Sequence, residues 1–401
     1  MKRSILLSLA TATLLCASAY RIPEQSADSI ALSGAYIANS SGADASYYNP
    51  ANMVFNPDMI QVQADLTYIG LNEISYTDTR NPAFNSTSKS ESFIVPTLFY
   101  SSEAFEGIRY GLSLTAPGGL SKRWEDPYAK TFAQEFTLKI VEFNPVIAYR
   151  VSETFAVAGG IRIIYSDGKV KSNGTGIGRP AIRDMEGDTT EFGYNLALAY
   201  KPISALNISA TYRSNVDIKE EGNAKLYLSG TKLYDGGASV QIPLPAVAAV
   251  AVAYTYQKTT IELEYDRTYW SEYKTLDFQY KDAVPMVLRA FFDDPIPKNW
   301  EDTDAFRIGL THQYSDRLKL MAGFAIDESP IPENTLNFEL PDSDAMIYSA
   351  GFDYRYSDKL GFTMGILYDK KDERTVHNSV INGTFKDASA LLVSAALRYL
   401  Y

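Results

Sequence analysis

The sequence is short of the side chains that usually carry chemistry. It has one cysteine and two histidines in 401 residues. The cysteine, Cys16, falls inside residues 1–19, where Lys2 and Arg3 precede the apolar run Ile5 to Leu15 and Ala17-Ser18-Ala19 follows it. A charged start, a short apolar run and small residues at a cleavage point make a secretion signal. The run is too short to cross a bilayer as a helix. Leu15 is too large for the residue before a lipoprotein cysteine, so Cys16 is expected to leave with the signal. From Tyr20 onward the chain then has no thiol, which excludes disulfides, thiolate metal sites and a cysteine nucleophile. His312 and His377 stand far apart in sequence. No H-E-x-x-H, phosphate-cradling loop or distinctive serine motif accompanies them. Asp293-Asp294 and the Asp342/Asp344 pair fall short of a calcium ligand set. The expectation is a protein that is not an enzyme and needs no cofactor or metal.

Positive charge is also scarce. Lys and Arg number 37 against 48 Asp and Glu, for a net charge of −11. Loss of Lys2 and Arg3 with the signal takes this to −13. Nucleic acid is excluded as a partner, because binding it needs a basic footprint. Long hydrophobic runs are missing as well. No segment after residue 19 has the roughly 18 consecutive apolar residues of a transmembrane helix. That leaves the other way through a membrane, since barrel strands alternate and keep hydropathy low. Aromatic residues are plentiful at 13%, with 29 Tyr, as interfacial girdles require.

Alternation is what the chain has in quantity. Val62, Ala64, Leu66 and Tyr68 interleave with Gln61, Gln63, Asp65 and Thr67. Phe192, Tyr194, Leu196, Leu198 and Tyr200 interleave with Gly193, Asn195, Ala197 and Ala199, and Ile261, Leu263 and Tyr265 with Glu262, Glu264 and Asp266. Period two places bulky apolar residues on one sheet face and small or ionic ones on the other. A soluble sandwich would turn the oily face inward, whereas a membrane barrel turns it to lipid. Connection lengths separate the two. Strands are expected at 59–69, 91–101, 106–115, 136–150, 153–166, 189–201, 205–215, 246–256, 259–268, 303–314, 316–326, 345–356, 358–369 and 387–401. Tight turns alternate strictly with long connections along this series, as in an up-and-down barrel of about 14 strands. Residues 219–228 read either as a further strand or as an extension of neighbours above the membrane. The last strand alternates through Leu397 and Tyr399 to Tyr401. An amphipathic strand with a terminal aromatic resembles the signal read by outer-membrane assembly machinery.

Residues 20–56 do not alternate. They are rich in Gly, Ala and Ser, carry Tyr47-Tyr48 against Asn49-Pro50-Ala51, and offer no apolar face large enough for a core. About eight strands make a barrel that side chains can fill, and larger barrels enclose a cavity. The segment therefore reads as a plug, with Gly34 and Gly42 allowing close packing and Asn49-Pro50 ending any helical turn. The alternative is an unattached leader. The expected division is signal peptide 1–19, hatch 20–56 and barrel 57–401, an all-β fold.

Several stretches resemble the FadL family of outer-membrane transporters for long-chain fatty acids and other hydrophobic compounds. Glu24-Gln25-Ser26 and Tyr48-Asn49-Pro50-Ala51 resemble that family's N-terminal hatch. Asn144-Pro145, Ala210-Thr211-Tyr212-Arg213-Ser214, Trp270-Ser271, Trp300 and Ser329-Pro330-Ile331-Pro332 continue the match in order. Residues 281–300 look inserted or divergent. The resemblance implies a fourteen-stranded antiparallel barrel in the outer membrane of a Gram-negative bacterium, closed by the hatch. It also implies passive uptake of hydrophobic small molecules, which leave sideways into membrane lipid through a gap in the wall. Gly34, Gly42, Tyr48, Asn49, Pro50 and Ala51 are then gate candidates. Leu120 and Trp124 in one outer loop, and Phe291 and Phe292 in another, are candidates for ligand capture. The second pair could instead belong to a small buried helix. Arg109, Arg162, Arg213 and Arg307 lie on the expected inner face, where they could meet a carboxylate or pair with acids such as Glu262, Glu264 or Asp266. A general solute porin and a structural or adhesion barrel remain the alternatives.

Overall fold

The computed structural model describes residues 19–401. The secretion signal expected over 1–19 lies outside the described residues except for Ala19.

Fourteen antiparallel strands close into a barrel. They are β1 (Gln61–Leu71), β2 (Glu91–Ser101), β3 (Ile108–Arg123), β4 (Glu135–Arg150), β5 (Phe155–Asn173), β6 (Ala181–Ile203) and β7 (Leu206–Arg213). β8 (Val247–Tyr256), β9 (Thr259–Thr268), β10 (Thr303–Gln313), β11 (Leu318–Asp327), β12 (Ala345–Arg355), β13 (Leu360–Lys371) and β14 (Ser389–Leu400) complete the ring. β1 closes it by pairing with both β2 and β14, from Gln61↔Leu400 to Leu71↔Ala390 on the second side. The oily face points outward: Leu66 is 54% exposed while its neighbour Asp65 is 4% exposed. One rim carries short turns. At one of these Glu106 and Gly107 both have left-handed φ, 51° and 80°, as a two-residue I′ turn requires.

The opposite rim carries the long connections. A spanning strand needs about 9–11 residues, but β6 has 23 and stands well clear of the bilayer. Its projecting half pairs with a hairpin, Val216–Leu228 and Thr231–Leu244, in register from Glu221↔Asp188 to Leu228↔Ala181. Residues 219–228 thus extend the wall outward and add nothing to the ring. Phe278–Tyr280 pairs onto the hairpin, and a second small sheet joins Ser75–Asp78, Ser86–Thr87, Arg374–His377 and Asn382–Lys386. A large apolar cluster including Trp124, Tyr128, Phe338 and Phe385 binds these loops into one cap.

The N-terminal segment fills the lumen. A short helix, Ala27–Ala31, starts at Ser26, whose hydroxyl accepts from the Ser29 amide at 3.3 Å. The helix lies directly on the inner surface of β11–β13, where the wall has been pared to glycine. A Cβ at Gly323 would sit 2.2 Å from the Leu32 carbonyl carbon, and one at Gly351 would sit 2.4 Å from Ala31 Cβ.

Candidate functional site

The hatch is held by its own polar turn and by carboxylates on the wall. Asn49 caps the 3-10 turn Pro50–Phe55 by accepting from Ala51 N at 3.1 Å. Its amide donates to the Ile37 carbonyl at 3.0 Å and to Leu198 of β6 at 3.2 Å. Tyr48 Oη accepts from the backbone amides of Gln25 (2.5 Å) and Ser26 (3.0 Å), tying this turn to the start of the segment. Gly34 takes φ +83° beside the Arg307 guanidinium, and Gly42 packs against Asp44. Pro50 and Ala51 are buried.

Two inward carboxylates of β9 receive four consecutive hatch amides. Glu264 Oε2 accepts from Tyr36 N at 3.0 Å and Ile37 N at 3.2 Å. Glu262 accepts from Ala38 N at 2.6 Å and Asn39 N at 2.9 Å. Asp65 of β1 accepts from Ala27 N at 2.7 Å on the other side.

The four inward arginines are all engaged. Arg307 meets Asp266 at 3.0 Å, Asp327 at 3.3 Å and Glu24 of the hatch at 3.4 Å, and donates to the Ser33 carbonyl at 2.9 Å. Arg162 pairs with Glu142 at 2.9 Å, and Arg213 pairs with the same carboxylate while lying over the Tyr47 ring at 4.3 Å. Arg109 donates to the carbonyls of Asn56 and Pro57, 3.2 and 2.8 Å away, and pairs with Asp58 at 3.3 Å. Of the acids named as partners from sequence, only Asp266 serves. Glu262 and Glu264 are spent on the hatch, and Glu142 of β4, which sequence reasoning passed over, takes two arginines.

The wall itself is incomplete. β2 and β3 pair only from Leu98↔Leu114 to Ser101↔Gly111. Beyond Leu114 strand β3 bulges between Thr115 and Gly118, and from Pro117 to Lys122 every residue is buried. The strand has turned into the lumen. It returns to its neighbour at the outer end, where Ser88 bridges Trp124 and the Lys89 amide donates to the Arg123 carbonyl at 2.9 Å. Between those two points residues 91–97 of β2 have no backbone partner on this side among the described residues. Seven residues at about 3.4 Å each open a window about 24 Å long.

The inward stretch of β3 finds its partner in the hatch. Ile22 N donates to the Pro117 carbonyl at 2.9 Å, and Gly119 N to the Tyr20 carbonyl at 2.8 Å. Gln25 closes the bulge from both sides, accepting from Ala116 N at 2.7 Å and donating to the Ala116 carbonyl at 3.0 Å. Behind Pro117 a cavity of about 60 Å³ is bounded by Tyr47, Tyr48 and Leu244 on one side and by the charged groups of Arg162, Arg213 and Glu264 on the other.

The expected outer loop holding Ala116–Leu120 is therefore corrected: these residues belong to β3. The Pro-Gly-Gly run expected in that loop is here a bulge within a strand, another place such residues occur. Leu120 is 4% exposed, and Trp124 is fully buried, donating Nε1–H to the Phe338 carbonyl at 2.9 Å. Neither side chain is exposed on the outer surface. The second outer segment forms a helix, Met286–Phe292, that is half packed and half bare. Leu288 and Phe292 are buried, while Met286, Val287 and Phe291 are exposed.

The chain has relatives with this design. The sequence profile described as outer membrane protein transport protein (OMPP1/FadL/TodX) matches residues 8–399. The chain is 21% identical to a long-chain fatty acid transport protein of Escherichia coli O6:H1 over 78% of this chain and 76% of that one. It is 26% identical to a 47 kDa outer membrane protein of Pasteurella multocida over 96% and 94% of the two chains. Its fold matches a Pseudomonas aeruginosa FadL homologue with TM-score 0.83 at 18% identity, covering 95% of this chain and 99% of that one. The Pseudomonas putida toluene transporter TodX matches with TM-score 0.75 at 15% identity, over 95% and 99%. A hatch-filled lumen does not suit a general solute porin. The chain belongs to the outer membrane protein transport protein family (OMPP1/FadL/TodX), and its barrel is an outer-membrane barrel.

Proposed function

We propose that this protein takes up long-chain fatty acids or other hydrophobic compounds and releases them sideways, through the window between β2 and β3, into the membrane. The observation that carries the reading is a wall opened at the one place where the plug supplies the missing strand partner. Physics favours a side route over a water-filled bore. An apolar chain gains about 0.8 kcal/mol for each buried CH₂, a gain that water-filled space does not offer. The 60 Å³ cavity behind Pro117 is well below the roughly 150 Å³ that holds one benzene. Passage therefore needs residues 20–25 to peel from β3, and Gln25 is the latch. Residues 1–19 act as the export signal, 20–56 as the hatch and 57–401 as the barrel. Assembly machinery that reads the closing strand, and surrounding lipid, are the partners this reading implies.

The test is a pair of measurements on purified protein in bilayers. Ion current should stay near the lipid baseline while a fluorescent fatty acid crosses. A large steady current without fatty-acid transfer would overturn the proposal in favour of a porin. Capture begins at the bare side of the Met286–Phe292 helix. Replacing Phe291 by Ser removes an exposed ring worth about 1.5–3 kcal/mol when fully buried against a ligand, and leaves the packed Phe292 in place. Uptake should drop about tenfold with the barrel still folded; unchanged uptake would remove the helix from the route.

A further inference from the structure

Arg183 is a buried cation with no anion. It sits in the projecting half of β6, well outside the bilayer, and is 7% exposed. Its guanidinium lies over Phe278 at 4.4 Å and over Phe292 at 4.9 Å. Its Nε has no hydrogen-bond partner, and no carboxylate pairs with it among the described residues. The polar group that faces it is the Tyr280 hydroxyl; burial nevertheless holds its pKa below the usual guanidinium value. Burying an unpaired charge is expensive, and native proteins rarely leave one. The other inward arginines show the ordinary solution, since each has a carboxylate.

The same guanidinium lines a cavity of about 200 Å³ in the outer cap, walled by Phe132, Phe278, Phe291, Phe292 and Ile296. Its other charged lining residues are Arg179 and Glu339, and Glu339 is already taken by Lys298. The cavity thus sets aromatic rings against a polar side of Thr131, Ser172 and Asn337, and it holds two cations, Arg179 and the buried Arg183, with no carboxylate paired to either among the described residues. Planar guanidinium matches carboxylate in a two-pronged hydrogen bond. A volume above the roughly 150 Å³ that admits benzene takes a head group with one ring or the first few methylenes.

We infer that Arg183 and its two phenyl rings form an outer-cap docking site for the carboxylate end of an amphiphile, so that the protein takes ionised acids ahead of neutral hydrocarbons of equal length. The site rests on the uptake reading above and adds the ligand class to it. Phe291 joins it to the bare helix face, so that the tail is met by that exposed ring and the head is held by Arg183.

Decanoate and decanol share a tail and differ in charge, and their binding to the purified protein in non-ionic detergent tests the site. The wild type should hold decanoate about tenfold or more tighter than decanol at neutral pH. Arg183→Met should erase that preference and leave decanol binding unchanged. Arg183→Lys keeps the charge but not the planar face between the rings, and should lose at least about threefold of the preference. It decides the matter if the methionine variant fails to form a heat-modifiable barrel. Inorganic phosphate, which has no tail, should not displace decanoate; displacement would make this a free-anion site and overturn the inference. An equal decanoate preference in wild type and both variants would also overturn it. In liposomes, uptake of both ligands with no dependence on Arg183 removes only the anion site, whereas uptake of neither removes the transport reading with it.

Discussion

Replacing Glu262 and Glu264 together by alanine should turn a closed barrel into one that conducts ions. The two carboxylates receive the amides of Tyr36, Ile37, Ala38 and Asn39, a stretch of hatch with no sheet of its own to satisfy them. A buried amide left without an acceptor costs about 1–3 kcal/mol. Four together rival the roughly 5–15 kcal/mol that holds a whole domain folded. The barrel does not share that loss, because β9 keeps its ladders to β8 and β10 from end to end. The hatch should therefore come away from an intact wall. Single-channel recording in planar bilayers reads the outcome: frequent large openings in the double alanine variant, near silence in the wild type. Glu262→Gln with Glu264→Gln keeps an acceptor oxygen at each position and should stay mostly shut. If the alanine variant is as silent as the wild type, these carboxylates do not seat the hatch. The glycine surface under Ala27–Ala31 and the Arg307 cluster would then have to do so.

Much of this architecture can be read from the chain because a barrel strand has only two faces. At Leu66 and Asp65, or Leu263 and Glu264, large apolar and ionic residues alternate without interruption, and each tight turn shows where the next strand begins. The closed ring follows from that regularity. Legibility fails where backbone meets backbone. The amides of residues 36–39 that seat the hatch carry no side-chain signature, so Glu262 and Glu264 read equally well as partners for arginine. Pro117-Gly118-Gly119 reads as part of an outer loop because those residues favour irregular chain, although the same residues allow a strand to bulge and bring another backbone close. Of the hairpin at 216–244 only residues 219–228 read as extended chain, and their place above the ring depends on the extra length of β6. Arg183 was passed over because it falls in the long connection between the strands expected at 153–166 and 189–201, where a charge is ordinarily solvated. Only the folding of a distant loop, bringing Phe278 and Phe292 over it, takes the solvent away.

Removing Pro117 should shut the side exit without disturbing the plug's hold on ions. Three steps along β3, from Thr115 to Gly118, oppose two steps along β4, from Glu142 to Ile140. One residue is surplus, and that surplus is the bulge. Deleting Pro117 lets Gly118 continue the register of Thr115 and lays the following residues alongside β2. The unpaired edge at 91–97 then has a partner for every amide it can offer, Pro96 offering none. A fatty tail confronted with a sealed wall must leave through water, and ten methylenes at about 0.8 kcal/mol each forfeit about 8 kcal/mol. Even a fraction of that loss is a fall of about 100-fold or more in uptake. The stability of the barrel should not drop, because ladder hydrogen bonds are gained. The readouts are fluorescent fatty-acid transfer, ion current and thermal unfolding, taken together on one preparation. Transfer lost, current still closed and unfolding temperature held or raised is the expected combination. Transfer that continues at the wild-type rate through a folded ΔPro117 barrel would mean that ligand goes past the hatch and down the bore, and the window would be a structural irregularity with no part in the route.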